Sequence, residues 1–184
     1  MQDETAVLAA TGSLDHDALE EIFDEYAPAI YKYLLRLGIG AQEADQSVGD
    51  VFVRLLEKIA EGKGPRTNLR SYLFQIAYHL VVDHARERQR TAPIEVAEFE
   101  SGEMKPVQSQ TEENMLLEEL SGAMERELTE DQRNVIVLRF QEGFSIQETA
   151  DIIGKNANAV KAIQNRGITK LRLVLNREDR REDA

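Results

Sequence analysis

Seven residues of one helical stretch share a stripe: Asn68, Tyr72, Gln75, His79, Asp83, Arg86 and Arg90. At about 100° per residue they lie within roughly 80° of one another, and the apolar side chains of the same stretch centre about 120° away. An aromatic ring can stack on an unpaired base, amides can bond its edge, and arginines can hold phosphates. An ordinary solvated helix face is the plainer alternative. A second set, Asn156, Asn158, Lys161, Ala162, Gln164, Asn165 and Arg166, fronts a helix near the carboxyl end. Amides and cations at the start of such a helix suit base edges and phosphates. A helical hairpin with a solvated face is the competing reading.

Other chemistries find little footing. His79 and Asp83 share a face, but His84 points about 100° further round, and neither an HExxH motif nor a third ligand accompanies them, so no metal site is expected. No nucleophile elbow, phosphate-cradling glycine loop or paired carboxylates at a defined site occur, so neither a catalytic residue nor a cofactor is expected. The chain contains no cysteine, which excludes disulfides, a thiol nucleophile and a Cys-based zinc site. This usage fits a cytoplasmic protein.

These residues need helices to position them. Apolar positions recur with helical period from Leu19 to Leu37, where Pro28 is expected to kink or split the helix. A second helix is expected from Gln42 to Ala60, with Val48, Val51, Phe52, Leu55, Leu56 and Ile59 on one face. A third, from Asn68 to Gln89, turns Leu69, Leu73, Ile76, Ala77, Leu80 and His84 inward. The period stops over residues 91–111, which read as a flexible linker with two prolines. It resumes near Glu112, with Met115, Leu116, Leu120 and Met124 inward. Thr129–Gln132 and Ser145–Glu148 have the pattern of capping boxes, and Gly143 and Gly154 mark helix ends. Ser145 to Lys170 thus reads as a helix-turn-helix held by Ile146, Ala150, Ile153, Val160, Ile163 and Leu171, with Asn156 able to cap its second helix. The expected fold is all-α: two small helical domains, residues 14–90 and 112–176, joined by an acidic linker over 91–111.

The 184 residues carry a net charge of −12, and 30% of them are charged. The apolar runs, such as Val135–Leu138, reach about four residues against the ~18 of a membrane span. The acidic amino end lacks the plan of a signal peptide, so neither membrane insertion nor export is expected. The total charge hides a basic island: residues 63–90 hold 6 basic and 2 acidic groups, against 4 and 13 over residues 1–62. The linker's carboxylates are either a solvated spacer or a mimic of a phosphate chain lying in a partner's basic channel.

LEEIFDEYAPAIYKYLLRLG, VGDVFVRLLE and LRSYLFQIAYHLVVDHARERQR in the first half resemble the second-region domain of extracytoplasmic-function sigma factors, members of the sigma-70 superfamily. LTEDQRNVIVLRFQEGFSIQETADIIGKNANAVKAIQNRGITKLR resembles their fourth-region domain. The resemblance covers residues 17–90 and 112–175. It implies a non-catalytic subunit that binds core RNA polymerase and directs transcription initiation by opening the −10 element and reading the −35 element of promoter DNA. By position, Asp45, Asp50, Phe52, Arg54 and Leu55 would serve polymerase binding. Arg66, Asn68, Arg70, Tyr72, His79, Asp83 and Arg86 would face the −10 bases, and the seven residues from Asn156 to Arg166 the −35 duplex. The linker reaches about 70 Å when extended, beyond the ~50 Å expected between the two elements. An anti-sigma factor is an implied partner.

Departures from the family pattern include Gln46 and Gly49 before the Val51-Phe52 pair, Tyr72 where tryptophan is common, and His79 where asparagine is frequent. The rival readings are a stand-alone helix-turn-helix regulator and a sigma mimic that sequesters an anti-sigma factor. Neither needs the base-reading stripe of the first domain.

Overall fold

The computed structural model describes residues 16–65, 67–91, 120 and 122–182, and all regular structure among them is helical. Arg66, Met115, Leu116 and residues 92–111 of the expected linker lie outside the described residues. The chain divides into two compact units. The first holds α1 (His16–Arg36) up to Leu35, α2 (Ala41–Ala60) and α3 (Leu69–Thr91). The second holds α4 (Glu130–Ile136), a π-helical turn (Val137–Gln141), α5 (Ile146–Ile153) and α6 (Ala157–Glu182).

In the first unit, α1 buries Ile22, Ile30, Tyr33 and Leu34, and α2 buries Ala44, Val48, Val51 and Leu55. The α3 helix contributes Leu69, Leu73, Phe74, Ala77, Tyr78, Leu80 and Val81. The Tyr33 and Phe74 rings meet at 5.2 Å between centroids, each burial contributing roughly 2–3 kcal/mol. Three sequence expectations need correction. Pro28 does not split α1, which runs unbroken through it. The carbonyl that the ring crowds belongs to Asp24, and both residues are exposed, so water can satisfy that oxygen. Leu56, read on the apolar face of the second helix, is 37% exposed, as is the apolar Phe23 of α1 at 44%. His84 is only half-buried, with its Nδ1 3.7 Å from Glu43 Oε1 on α2.

Local chemistry fixes the ends. Glu61 follows α2, its N–H donating to Glu57 O while its carboxylate accepts from Lys58 Nζ at 3.0 Å and Lys63 Nζ at 3.1 Å. The two ammonium groups, Lys58 foremost, hold the Glu61 carboxyl below its ordinary range. Asn68 caps α3: its Oδ1 accepts from Ser71 N–H at 3.0 Å, and it takes a φ of +50°, which asparagine tolerates better than most residues.

In the second unit, residues 122–127 are helical and precede α4. Thr129 and Gln132 form a complete capping box, as do Ser145 and Glu148 at α5. Between them the helix widens: Glu142 N–H donates to Val137 O, a five-residue step. Val135 and Ile136 at the end of α4 and Val137 and Leu138 at the start of the wider turn are all buried. Gly154 ends α5 at φ +66°, the left-handed conformation that glycine takes without steric cost. The α5 and α6 helices close over Ala150, Ile152, Ile153, Val160, Ile163 and Leu171, with Ile146 half-buried at the rim.

Candidate nucleic-acid interface

The α3 helix turns Leu73, Phe74 and Ala77 into the core, and this leaves Tyr72, Gln75, His79, Asp83 and Arg86 on its other side. His79, Asp83 and Arg86 are exposed, and Tyr72 and Gln75 are half-buried. Asp83 sits between two guanidinium groups, Arg54 of α2 and Arg86 one turn on, each 4.0 Å away. His79 Nδ1 lies 2.8 Å from Gln75 O. The Tyr78 ring stands edge-on to the imidazole at 5.5 Å and 70°.

Other members of this set have structural duties. Arg70 lies 5.2 Å over the Phe74 ring, a cation–π contact that holds its guanidinium along α3. The Oδ1 of Asn68 is taken by the helix cap. The side chain of Arg90 lies outside the described residues.

On α2, Asp45 and Arg54 are exposed and Asp50 and Phe52 half-buried. Leu55 has no exposed surface, so it supports the core and is withdrawn from the set of contact residues. Apolar side chains around it reach the surface instead. The Phe52 ring packs 4.8 Å from that of Phe23, and Val53 and Leu56 stay exposed at 53% and 37%. The clue was available in the runs Val51-Phe52-Val53 and Leu55-Leu56, which make an apolar stripe wider than one buried face requires.

In the second unit, Asn156 Oδ1 accepts from Ala159 N–H at 2.8 Å, so this residue caps α6. Asn158, Lys161, Ala162, Asn165 and Arg166 are exposed along the first turns of α6. Arg166 is steadied by donating from Nε to Ala162 O at 3.2 Å. Gln164 is half-buried, and its Oε1 accepts from Arg139 Nε at 3.1 Å. Arg139 also donates to Phe144 O, so it ties the π-helical turn both to the start of α5 and to α6. Sequence reading put Gln164 on the outer face and gave no role to Arg139, because a bond between residues 25 apart leaves no local trace.

The Sigma-70 region 2 family matches residues 22–91, and the Sigma-70, region 4 family residues 126–173. Over 167 residues the chain is 30% identical to the ECF RNA polymerase sigma factor EcfG of Rhodopseudomonas palustris, covering 90% of this chain and 86% of that one. It is 30% identical over 166 residues to the ECF sigma factor BldN of Streptomyces coelicolor, matching 86% of itself but spanning only 61% of BldN. Among solved structures, CnrH in complex with the cytosolic domain of CnrY has the same fold, with a TM-score of 0.68 and 21% identity over 94% of this chain and 96% of that one. So does the sigma factor RpoE of Bartonella quintana, in complex with the anti-sigma factor NepR, with a TM-score of 0.63 and 21% identity over 85% and 96%. Two sigma regions in order along one chain, and a relative matched over most of its length, identify the chain as a member of the extracytoplasmic-function group of the sigma-70 family.

Proposed function

We propose that the chain acts as an RNA polymerase sigma subunit: it binds core polymerase, opens the −10 element with its first domain and reads the −35 duplex with its second. The observation that carries this reading is the presence of both sigma regions in order on one chain. The outward stripe of half-buried Tyr72 and Gln75 and exposed His79, Asp83 and Arg86 supports it, because a stand-alone regulator or a decoy has no use for base-reading groups there. Residues 14–90, 91–111 and 112–176 are the proposed −10 domain, acidic linker and −35 domain.

The polymerase contact is proposed on α2, where Asp45, Asp50 and Arg54 border the apolar cluster of Phe52, Phe23, Val53 and Leu56. A central apolar anchor with a charged rim suits protein association. The −10 set is Tyr72, His79, Asp83 and Arg86, with Arg66, Asn68 and Arg70 at its approach. The −35 set is Asn158, Lys161, Ala162, Asn165 and Arg166, which Asn156 and Gln164 position from the helix cap and from the Arg139 bond. Every chemical step belongs to the polymerase; this subunit supplies position and base recognition. An anti-sigma partner is proposed as well, since RpoE of Bartonella quintana is held by one. Action beside polymerase places the protein in the cytoplasm, and no helix among the described residues is long and apolar enough to cross a membrane.

The test is transcription in vitro with the purified chain, cognate core polymerase and a genomic promoter library. Starts that share −10 and −35 motifs at fixed spacing, absent with core alone, are expected. If no start depends on the chain while another sigma factor works in the same mixture, and the chain does not bind core, the reading fails.

A further inference from the structure

The α2 and α6 helices each carry an interior glycine, although glycine suits a helix interior less than any residue but proline. For Gly167 the fold supplies the reason, since a Cβ there would run into Ile136. For Gly49 it supplies none. This residue is exposed, and a Cβ added to it would meet nothing within 4 Å among the described residues. Its backbone is that of an ordinary helix; the described glycines with positive φ are Gly38, Gly62, Gly143 and Gly154. Conformation and internal packing would both admit alanine at Gly49, and alanine would stabilise α2.

What surrounds Gly49 is not a plain solvated face. At about 100° per residue, Val53 and Leu56 lie within roughly 40° of it around α2, one and two turns further on. Both are exposed, and the Phe52 ring, packed on that of Phe23, flanks them. Asp45 and Gln46, one turn earlier, are exposed as well. The outer stripe of α2 thus passes from polar side chains, across bare helix backbone, into an apolar patch. A partner can bring a bulky side chain down to the backbone at Gly49 and cover Val53 and Leu56 in the same approach.

We propose that Gly49 is a close-approach point of the polymerase contact, a notch in α2 that receives a large apolar side chain of the core enzyme. The inference rests on the polymerase reading of α2, and it adds the place and the steric requirement of the contact. A side chain in the notch lifts the incoming group off the backbone and opens gaps over Val53 and Leu56, which forfeits attraction along the whole stripe. Filling the notch therefore helps the free chain and harms the complex. A glycine with a merely structural role would not give these opposite signs.

The experiment compares the full native chain with Gly49→Ala and Gly49→Gln, two substitutions that favour a helix at an exposed position. Two quantities are read for each: the urea midpoint of the free chain, and the affinity for cognate core polymerase by calorimetric titration. Both variants should unfold at higher urea than the native chain. Affinity should fall at least about fivefold for alanine and further for glutamine, the range expected when a close-packed contact is overfilled. If the native chain binds core and either variant binds equally well or more tightly, the notch is wrong and the sigma reading stands. A lower urea midpoint for Gly49→Ala would also overturn the notch, because the fold itself would then require the glycine. Failure of the native chain to bind core overturns both readings.

Discussion

At the scale of single residues, satisfied and unsatisfied polar groups separate the positions that serve the fold from those that face outward. Thr149 is fully buried on α5, and its hydroxyl meets no hydrogen-bond partner among the described residues. Thr149→Val keeps the branched shape and removes the stranded oxygen, so it should stabilise the second unit by about 1 kcal/mol in urea unfolding. Glu61 behaves differently. Its lowered pKa means that the pairing with Lys58 and Lys63 contributes above the unfolded carboxylate range and is lost as pH falls through the folded value. The group is fully exposed, so its influence should fade with added salt. Part of the site was legible residue by residue: the types along Tyr72, His79, Asp83 and Arg86 predict an outward stripe, and these side chains do face away from the core. The closeness of His79 Nδ1 to Gln75 O and the Arg54–Asp83–Arg86 grouping were not legible, because they depend on heavy-atom positions that a helical wheel lacks.

At the scale of elements, the clearest sequence signals were those in which a side chain bonds its own neighbourhood. The capping boxes at Thr129 and Ser145 and the turn at Gly154 each lie within a few residues of chain and need no knowledge of packing. Whether Pro28 would split α1 was not legible for the opposite reason, since that depends on whether the carbonyl of Asp24 meets water or core. The π-helical turn escaped a reading by period; it begins inside the run Val135–Leu138, whose four adjacent apolar side chains are all buried. Gly167, midway along α6, was equally silent. A Cβ added there would stand 2.8 Å from Ile136 Cδ1 and 3.5 Å from Gln132 Cβ, so the missing side chain is what lets α4 approach α6. Gly167→Val should therefore cost the second unit about 2 kcal/mol by overpacking, measured as a lower urea midpoint. A small change in either direction would mean that Ile136 yields and the fit is looser than the distances imply.

At the scale of the whole molecule, the net charge of −12 opposes a DNA polyanion, and the basic island over residues 63–90 is local relief. The isolated chain should therefore fail to retard promoter duplex at physiological salt, whereas polymerase carrying it should do so. Firm retardation by the chain alone would show that the two basic surfaces outweigh the acidic remainder. The division into two compact units also agrees with the separate matches of regions 2 and 4. Within the second unit, α6 spans 26 residues, and the side chains proposed to enter the groove occupy only its first three turns. At 1.5 Å per residue the helix is about 39 Å long, so its far end stands roughly 25 Å beyond the last of them. Docked as proposed, it is a lever with its short arm at the DNA. A tilt of about 10° at the groove would swing the distal tip by roughly 4 Å, so a dye at that tip would convert a docking angle into a measurable displacement.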